Sequence, residues 1–162
     1  AYGGTIYYIT PGIVIENIYD GDLPMVVGYT GVKADTPTLI RQVAELRRNV
    51  KWVDSVFGDI KDLVNEAKVQ FMKNDFVRLG KLMNKNQKLL STLNVSSLKL
   101  DNLIKTAKQA GAYGAKLSGA GGGDCMIAFV NNENRKIVID SIVEAGGTWM
   151  NVATGAEGVR LE

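Results

Sequence analysis

Between Lys116 and Cys125 the chain reads Lys-Leu-Ser-Gly-Ala-Gly-Gly-Gly-Asp-Cys, with four glycines in five residues. Glycine loses more conformational freedom on folding than any other residue, so such a run is costly unless the backbone needs it. It is needed where φ is positive or where main chain passes very close to another group. A short strand-like segment, Ala115 to Ser118, precedes the run, and the apolar Cys125 to Val130 follows it. A turn between two strands ordinarily uses one or two glycines. Four predict a loop whose N–H groups converge into a nest for phosphate or carboxylate oxygens. Ala120 is the one side chain inside the run, Ser118 adds a hydroxyl at its start, and Lys116 adds positive charge. No Gly-Lys-Ser/Thr follows, so the loop is not a Walker A motif. A strand rather than a helix follows, so it does not match the dinucleotide fingerprint either.

The rest of the chain places this loop in an α+β framework. Thr5 to Thr10 and Ile13 to Tyr19 are aromatic and β-branched, and Pro11-Gly12 between them is a turn signal. Met25 to Tyr29 reads as a third, mostly buried strand. Helix is predicted from Thr36, with Thr36 as cap and Pro37 at the first helical position. From Val50 the apolar residues Val53, Val56, Phe57, Ile60, Leu63, Val64, Ala67 and Phe71 recur at spacings of three and four. Asn74-Asp75 interrupts that stripe and Phe76 to Leu93 resumes it. A further helix is expected from Ser97 to Ala110, capped by Ser96 or Ser97 and stopped by Gly111. Asn134 to Ala145 forms another, ended by Gly146-Gly147; Thr148 to Val152 and Gly158 to Leu161 are candidate closing strands. Strands enclosing a helical block imply a small antiparallel, ferredoxin-like sheet with a helical layer packed on one face.

Composition removes several classes of chemistry. The 162 residues fit one domain, and 46% apolar against 22% charged is ample for a core. There is no histidine, which excludes a His-dependent triad, a His general base and His-containing metal sites. One cysteine, Cys125, cannot form a disulfide within the chain, so a reducing, cytoplasmic setting is the expectation. The longest apolar runs are short, such as Met126 to Val130, and predict no membrane span. The 19 basic and 17 acidic residues are interleaved, giving a net charge of +2 and no basic track for nucleic acid. The chain opens Ala1-Tyr2-Gly3-Gly4 and runs directly into a strand, which points to a piece of a longer protein.

Four segments, in order, carry a resemblance to a known family. Lys116 to Cys125 resembles the third signature motif of the GHMP small-molecule kinases. Val27 to Thr36 (VGYTGVKADT) resembles the strand and loop before a helix in their mevalonate kinase branch. Asn84 to Leu90 (NKNQKLL), followed by Val95-Ser96, is similar to that branch's helix with an N-x-x-L-x-x-L pattern. Tyr2-Gly3-Gly4 is similar to the T-x-G-G that shortly follows the family's catalytic aspartate. The match is closest to the archaeal-type mevalonate kinases.

The resemblance implies that residues 1–162 are a GHMP kinase C-terminal domain. Residues 1–19 are then expected to be the last hairpin of an N-terminal domain's sheet, leaving an exposed edge and making a homodimer an expectation for the chain alone. The implied activity is phosphorylation of mevalonate by ATP with magnesium, in isoprenoid precursor synthesis. The ATP loop, the metal site and the catalytic aspartate would lie upstream of Ala1, so this chain alone is expected to be inactive and to hold no catalytic residue or metal ligand. Thr30 would lie near the phosphoryl-transfer centre. Gly119, Ala120, Gly121, Gly122 and Gly123, with Ser118, would face substrate and the transferred phosphate, and Lys116 is a candidate anion contact. Asp124 departs from the fourth glycine usual at this place in mevalonate kinases. It leaves phosphomevalonate kinase open as the alternative, and its carboxylate is expected to point away or face a cation. A non-catalytic anion-binding module is the reading from another class.

Other side chains have plainer expectations. Cys125 is expected to be an inert buried thiol. Lys33, Arg41, Arg47 and Arg48, and the Asp59, Asp62, Glu66 set, read as solvated charge. Trp52 and Trp149 read as packing residues.

Overall fold

A computed structural model describes residues 2–159. It contains a hairpin, four helices in succession, and a strand–loop–strand–helix–strand ending. Strands β1 (Thr5–Ile9) and β2 (Val14–Tyr19) form their own antiparallel two-stranded sheet. Strand β3 (Met25–Tyr29) opens the main sheet. Helices α1 (Thr36–Asn49), α2 (Trp52–Met72), α3 (Phe76–Thr92) and α4 (Leu98–Gln109) follow. Then come β4 (Gly114–Ser118), β5 (Cys125–Phe129), α5 (Asn132–Glu144) and β6 (Thr148–Met150). The main sheet has the order β4-β5-β3-β6, and every neighbouring pair is antiparallel. Two β-α-β crossovers, β3 to β4 and β5 to β6, therefore interleave, each spanning one intervening strand. That is the ferredoxin-like split arrangement.

The period-2 alternation of the strands divides the core into two. Val26, Met126, Ala128, Ala115 and Leu117 face α4 and α5, where they meet Leu100, Leu103, Ile104, Ala107, Val138 and Ile142. Gly28 lies on the same face; a Cβ there would sit 2.9 Å from Ile142 Cγ2. On the other face Ile127, Phe129 and Met25 meet Leu79 and Met83 of α3 and Phe71 of α2. The helical layer is thus not confined to one face, as the sequence had suggested. A helical block of 57 residues (36–92) is longer than one crossover requires, and α2 and α3 use the excess to cover the second face and the β4 edge.

That edge is covered in a specific way. Helix α3 approaches β4 so closely that a Cβ on Gly114 would lie 1.8 Å from Gly80 O. Asn84 Nδ2 donates to Tyr113 O and its Oδ1 accepts from Ala115 N, both at 3.2 Å. Gln87 Oε1 accepts from Leu117 N at 2.9 Å. Helix side chains thereby replace the missing neighbour strand and satisfy edge groups that would otherwise be buried unpaired.

Local signals explain most boundaries. Ser97 caps α4 by accepting from Leu100 N, and Gly111 stops it with φ +101°. Asn74, at φ 56°, turns the chain so that Asp75 can cap α3. Asp35, not Thr36, caps α1: its carboxylate accepts from the Thr38 hydroxyl and from Thr38 N, which hold it below the ordinary carboxylate range. Trp52 and Trp149, expected as packing residues, are 45% and 37% exposed and so stand outside the buried core. Strand β6 ends at Met150 rather than Val152. Gly158 and Val159 are not in a strand, and Arg160 and Leu161 lie outside the described residues. The β1–β2 hairpin leans one face on α2, through Tyr7 Oη donating to Asn65 Oδ1 (2.8 Å) and Lys68 paired with Glu16 (2.5 Å). Its other face leaves Tyr8 52%, Ile13 78% and Ile15 37% exposed. Among the described residues no helix is long and apolar enough to cross a membrane.

Candidate functional site

The loop from β4 to β5 stands at one end of the main sheet, and it is held at three places. At its start, Gln87 takes the Leu117 N–H. In its middle, Gly122 N donates to Val95 O at 2.7 Å. At its end, Asp124 N donates to Val32 O (2.7 Å), Asp124 O accepts from Thr30 N (2.8 Å), and Asp124 Oδ1 accepts from Ala34 N (3.2 Å). The glycines are required by these contacts. A Cβ on Gly121 would lie 1.9 Å from Val95 O, and one on Gly123 would lie 2.5 Å from Val32 O. Gly121 and Gly122 also have φ +88° and +72°.

The first half of the loop is different. Gly119 has φ +84°, yet a Cβ there would meet nothing within 4 Å. The N–H groups of Gly119 and Ala120 and the hydroxyl of Ser118 make no hydrogen bond to other described residues. This half presents unpaired donors, with open space at Gly119, on a backbone whose other half is fixed. Ordered, unpaired donors of this kind suit an anionic oxygen.

Two predicted residues do not join that surface. Thr30 is fully buried, and its Oγ1 lies 3.2 Å from both Val32 N and Val32 O. Rather than facing a ligand, it braces the turn that grips Asp124. Lys116 alternates with Leu117 and so projects from the opposite sheet face, among Leu63, Phe71, Leu79, Met83 and Phe129. Its Nζ donates to Leu117 O at 2.6 Å, and burial holds the amine below the ordinary lysine range. Its charge is not directed at the loop.

Asp124 points away from the open half, toward Ala34, and with φ 53° it adopts the left-handed geometry that Asp and Asn tolerate. Cys125 has its thiol pushed up by burial and then by the Asp124 carboxylate, which suits an inert side chain. Glu66 is paired with Arg78, and Arg47 with Asp54.

Three contributors were not singled out from sequence. Gln87 resembles any helix-surface amide, and Val95 acts through its carbonyl, which no side chain announces. Lys99 brings its amine to the turn at Gly31, 3.7 Å from where a Cβ on that glycine would be. Only the fold sets it there.

Residues 67–148, which include α3, α4 and the whole loop, match the family described as GHMP kinases C terminal. The chain belongs to the GHMP kinases. Over its full length the chain is 38% identical to the mevalonate kinase of Pyrococcus abyssi (strain GE5 / Orsay), covering 49% of that protein. The L. major mevalonate kinase, solved in complex with R-mevalonate, superposes with a TM-score of 0.80 at 29% identity, over 88% of this chain and 45% of that one. Streptococcus pneumoniae phosphomevalonate kinase, solved with phosphomevalonate and AMPPNP, gives a TM-score of 0.72 at 20% identity, over 85% and 41%; it shares the fold. The chain thus spans about half the length of the curated relatives it matches.

Proposed function

We propose that this chain is the C-terminal half of an ATP-dependent mevalonate kinase, and that Ser118, Gly119 and Ala120 bind oxygens of the substrate and the transferred phosphoryl group. The observation that carries the reading is the pair of unpaired N–H groups at Gly119 and Ala120, on a loop whose far half is immobilised by Val95, Val32 and Thr30. Phosphoryl transfer asks mainly for positioning and for donors aimed at charge spreading over the equatorial oxygens. Backbone donors already held in place supply this without reorganisation at the moment of reaction. Identity to archaeal mevalonate kinases along the whole chain supports the substrate assignment.

The donor set here, N–H groups and a hydroxyl, fits an anion. Asp124, the one carboxylate of the loop, is already engaged by Ala34 N. In this proposal magnesium and most of ATP are therefore held by an N-terminal half, along with the carboxylate that takes the proton from the substrate hydroxyl. That half covers the exposed face of the β1–β2 hairpin, whose Tyr8, Ile13 and Ile15 otherwise stand in water.

The test is a coupled ATP assay on the intact two-half protein and on residues 1–162 alone. The expected result is turnover of mevalonate by the intact protein and none by the isolated half. Preference for phosphomevalonate would replace the substrate assignment. A folded intact protein that turns over neither would support the anion-binding module instead.

A further inference from the structure

The loop's first and second clamps are linked by one side chain, Gln87, which is 8% exposed on α3. Its orientation is dictated by chemistry. Leu117 N–H is a donor only, so the Gln87 atom 2.9 Å from it must be the carbonyl oxygen. That leaves the amide nitrogen facing Ser96 Oγ at 3.1 Å, with Asp101 Oδ1 and Ser91 Oγ each at 3.4 Å. Ser96 Oγ donates to Asp101 Oδ1 at 2.6 Å, so toward Gln87 it accepts. The result is a directed chain. The Asp101 carboxylate accepts from the Ser96 hydroxyl and the Gln87 amide, and the Gln87 carbonyl accepts from Leu117. Successive hydrogen bonds of this sense polarise and strengthen one another, with a full charge at one end.

Two members of the chain, Leu117 and Ser96, touch the loop's supports. Leu117 immediately precedes Ser118, at the start of the open half. Ser96 immediately follows Val95, whose carbonyl holds Gly122 and leaves no room for a Cβ on Gly121. We infer that Gln87, through Ser96 and Asp101, is a positioning residue that sets the Gly119 and Ala120 donors relative to the reacting phosphoryl group. Its link to catalysis rests on the functional reading above; its control of loop geometry does not.

Asn84 is the internal control. It satisfies the same edge strand one turn of α3 earlier, at Tyr113 and Ala115, but it has no link to Val95. The experiment compares Gln87→Met, Gln87→Glu, Ser96→Ala and Asn84→Met in the intact protein, by amide hydrogen exchange and by kcat and KM. In Gln87→Met, exchange at Leu117 and Gly122 should quicken by about tenfold or more, as expected if a local opening becomes easier by about 1.4 kcal/mol. In the same variant kcat should fall about 10- to 100-fold, more than KM changes, because the donors are displaced from where transition-state charge develops. Asn84→Met should leave Gly122 exchange and kcat near wild type.

Gln87→Glu supplies a signature that a merely structural role lacks. Its carboxylate would stand beside that of Asp101, and two carboxylates sharing a site push one pKa up. The added proton restores a donor, so kcat of this variant should climb toward wild type as pH falls, relative to Gln87→Met. If Gln87→Met does not fold, Ser96→Ala removes the link from Gln87 to the residue beside Val95 while leaving the Leu117 N–H paired with Gln87, and should quicken Gly122 exchange. Equal loop exchange and equal kcat in the Gln87, Ser96 and Asn84 variants would overturn the inference. An intact protein inactive on mevalonate, yet showing the exchange pattern, would refute the functional reading and leave the positioning role standing.

Discussion

The two halves of the glycine loop have nearly the same composition and opposite surroundings. From Gly121 to Asp124 the backbone is pressed against Val95 and Val32, and the Gly122 and Asp124 N–H groups are paired with their carbonyls. At Gly119 a Cβ would meet nothing within 4 Å, and the Gly119 and Ala120 N–H groups have no partner among the described residues. Glycine is therefore used for two reasons within five residues. In the clamped half it removes a Cβ that would collide with a carbonyl. In the open half it permits a positive φ and lets a ligand approach the main chain. A binding surface made of backbone needs both, because donors are useful only when something else holds them still.

Alanine substitution should break this comparison most visibly at Gly121. The added Cβ falls 1.9 Å from Val95 O and φ is +88°, so overpacking and backbone strain add. We expect a loss of about 3–5 kcal/mol, measured by denaturant unfolding, and a loop that no longer binds. Asp124→Ala should cost about 1–2 kcal/mol, since it abandons the hydrogen bond to Ala34 N at a positive φ; Asp124→Asn should stay within about 0.5 kcal/mol because the acceptor and the tolerance of that backbone remain. Gly119→Ala should cost only about 1 kcal/mol, the strain alone. It should nevertheless weaken phosphate or substrate binding in the intact protein, because the methyl enters the open face. If Gly119→Ala and Gly121→Ala proved equally destabilising, the division of the loop into clamped and open halves would be wrong.

The smallest effect sharpens the comparison from outside the loop. Burial keeps Lys116 below its ordinary value of 10.5. Between that lowered value and 10.5 the unfolded chain binds more protons than the folded one, so stability rises with pH across that window. Lys116→Met should flatten this alkaline rise in pH-dependent unfolding without altering anion binding. A loss of phosphate affinity in that variant would place the amine at the loop after all.

Much of the framework was legible because local physics and the fold agree. The β-branched runs at 5–9 and 25–29 became strands, and the three- and four-residue spacing of Val53, Val56 and Phe57 became a helix. Ser97 and Gly111 ended α4 where their capping chemistry predicts. The misread cap at α1 has an equally local cause: Asp35 and Thr36 are adjacent candidates, and Pro37 is acceptable at either of the first two helical positions. Lys116 was misdirected for want of a rule that the sequence does contain. Leu117 is buried against α4 and α5, so its strand neighbour must face the other way.

Lys116 to Cys125 alone carried enough to predict a tight, donor-rich loop between two strands, because glycine content reports directly on what the backbone must do. It could not reveal which of its glycines are clamped, or that Thr30 is a brace, or that a glutamine thirty residues upstream sets the loop's start. Those depend on the Val95 carbonyl, the Val32 turn and the Leu117 amide arriving at one place from three parts of the chain. Backbone carbonyls and amides are common to every residue type. Where they meet is fixed by packing, and composition carries no trace of it.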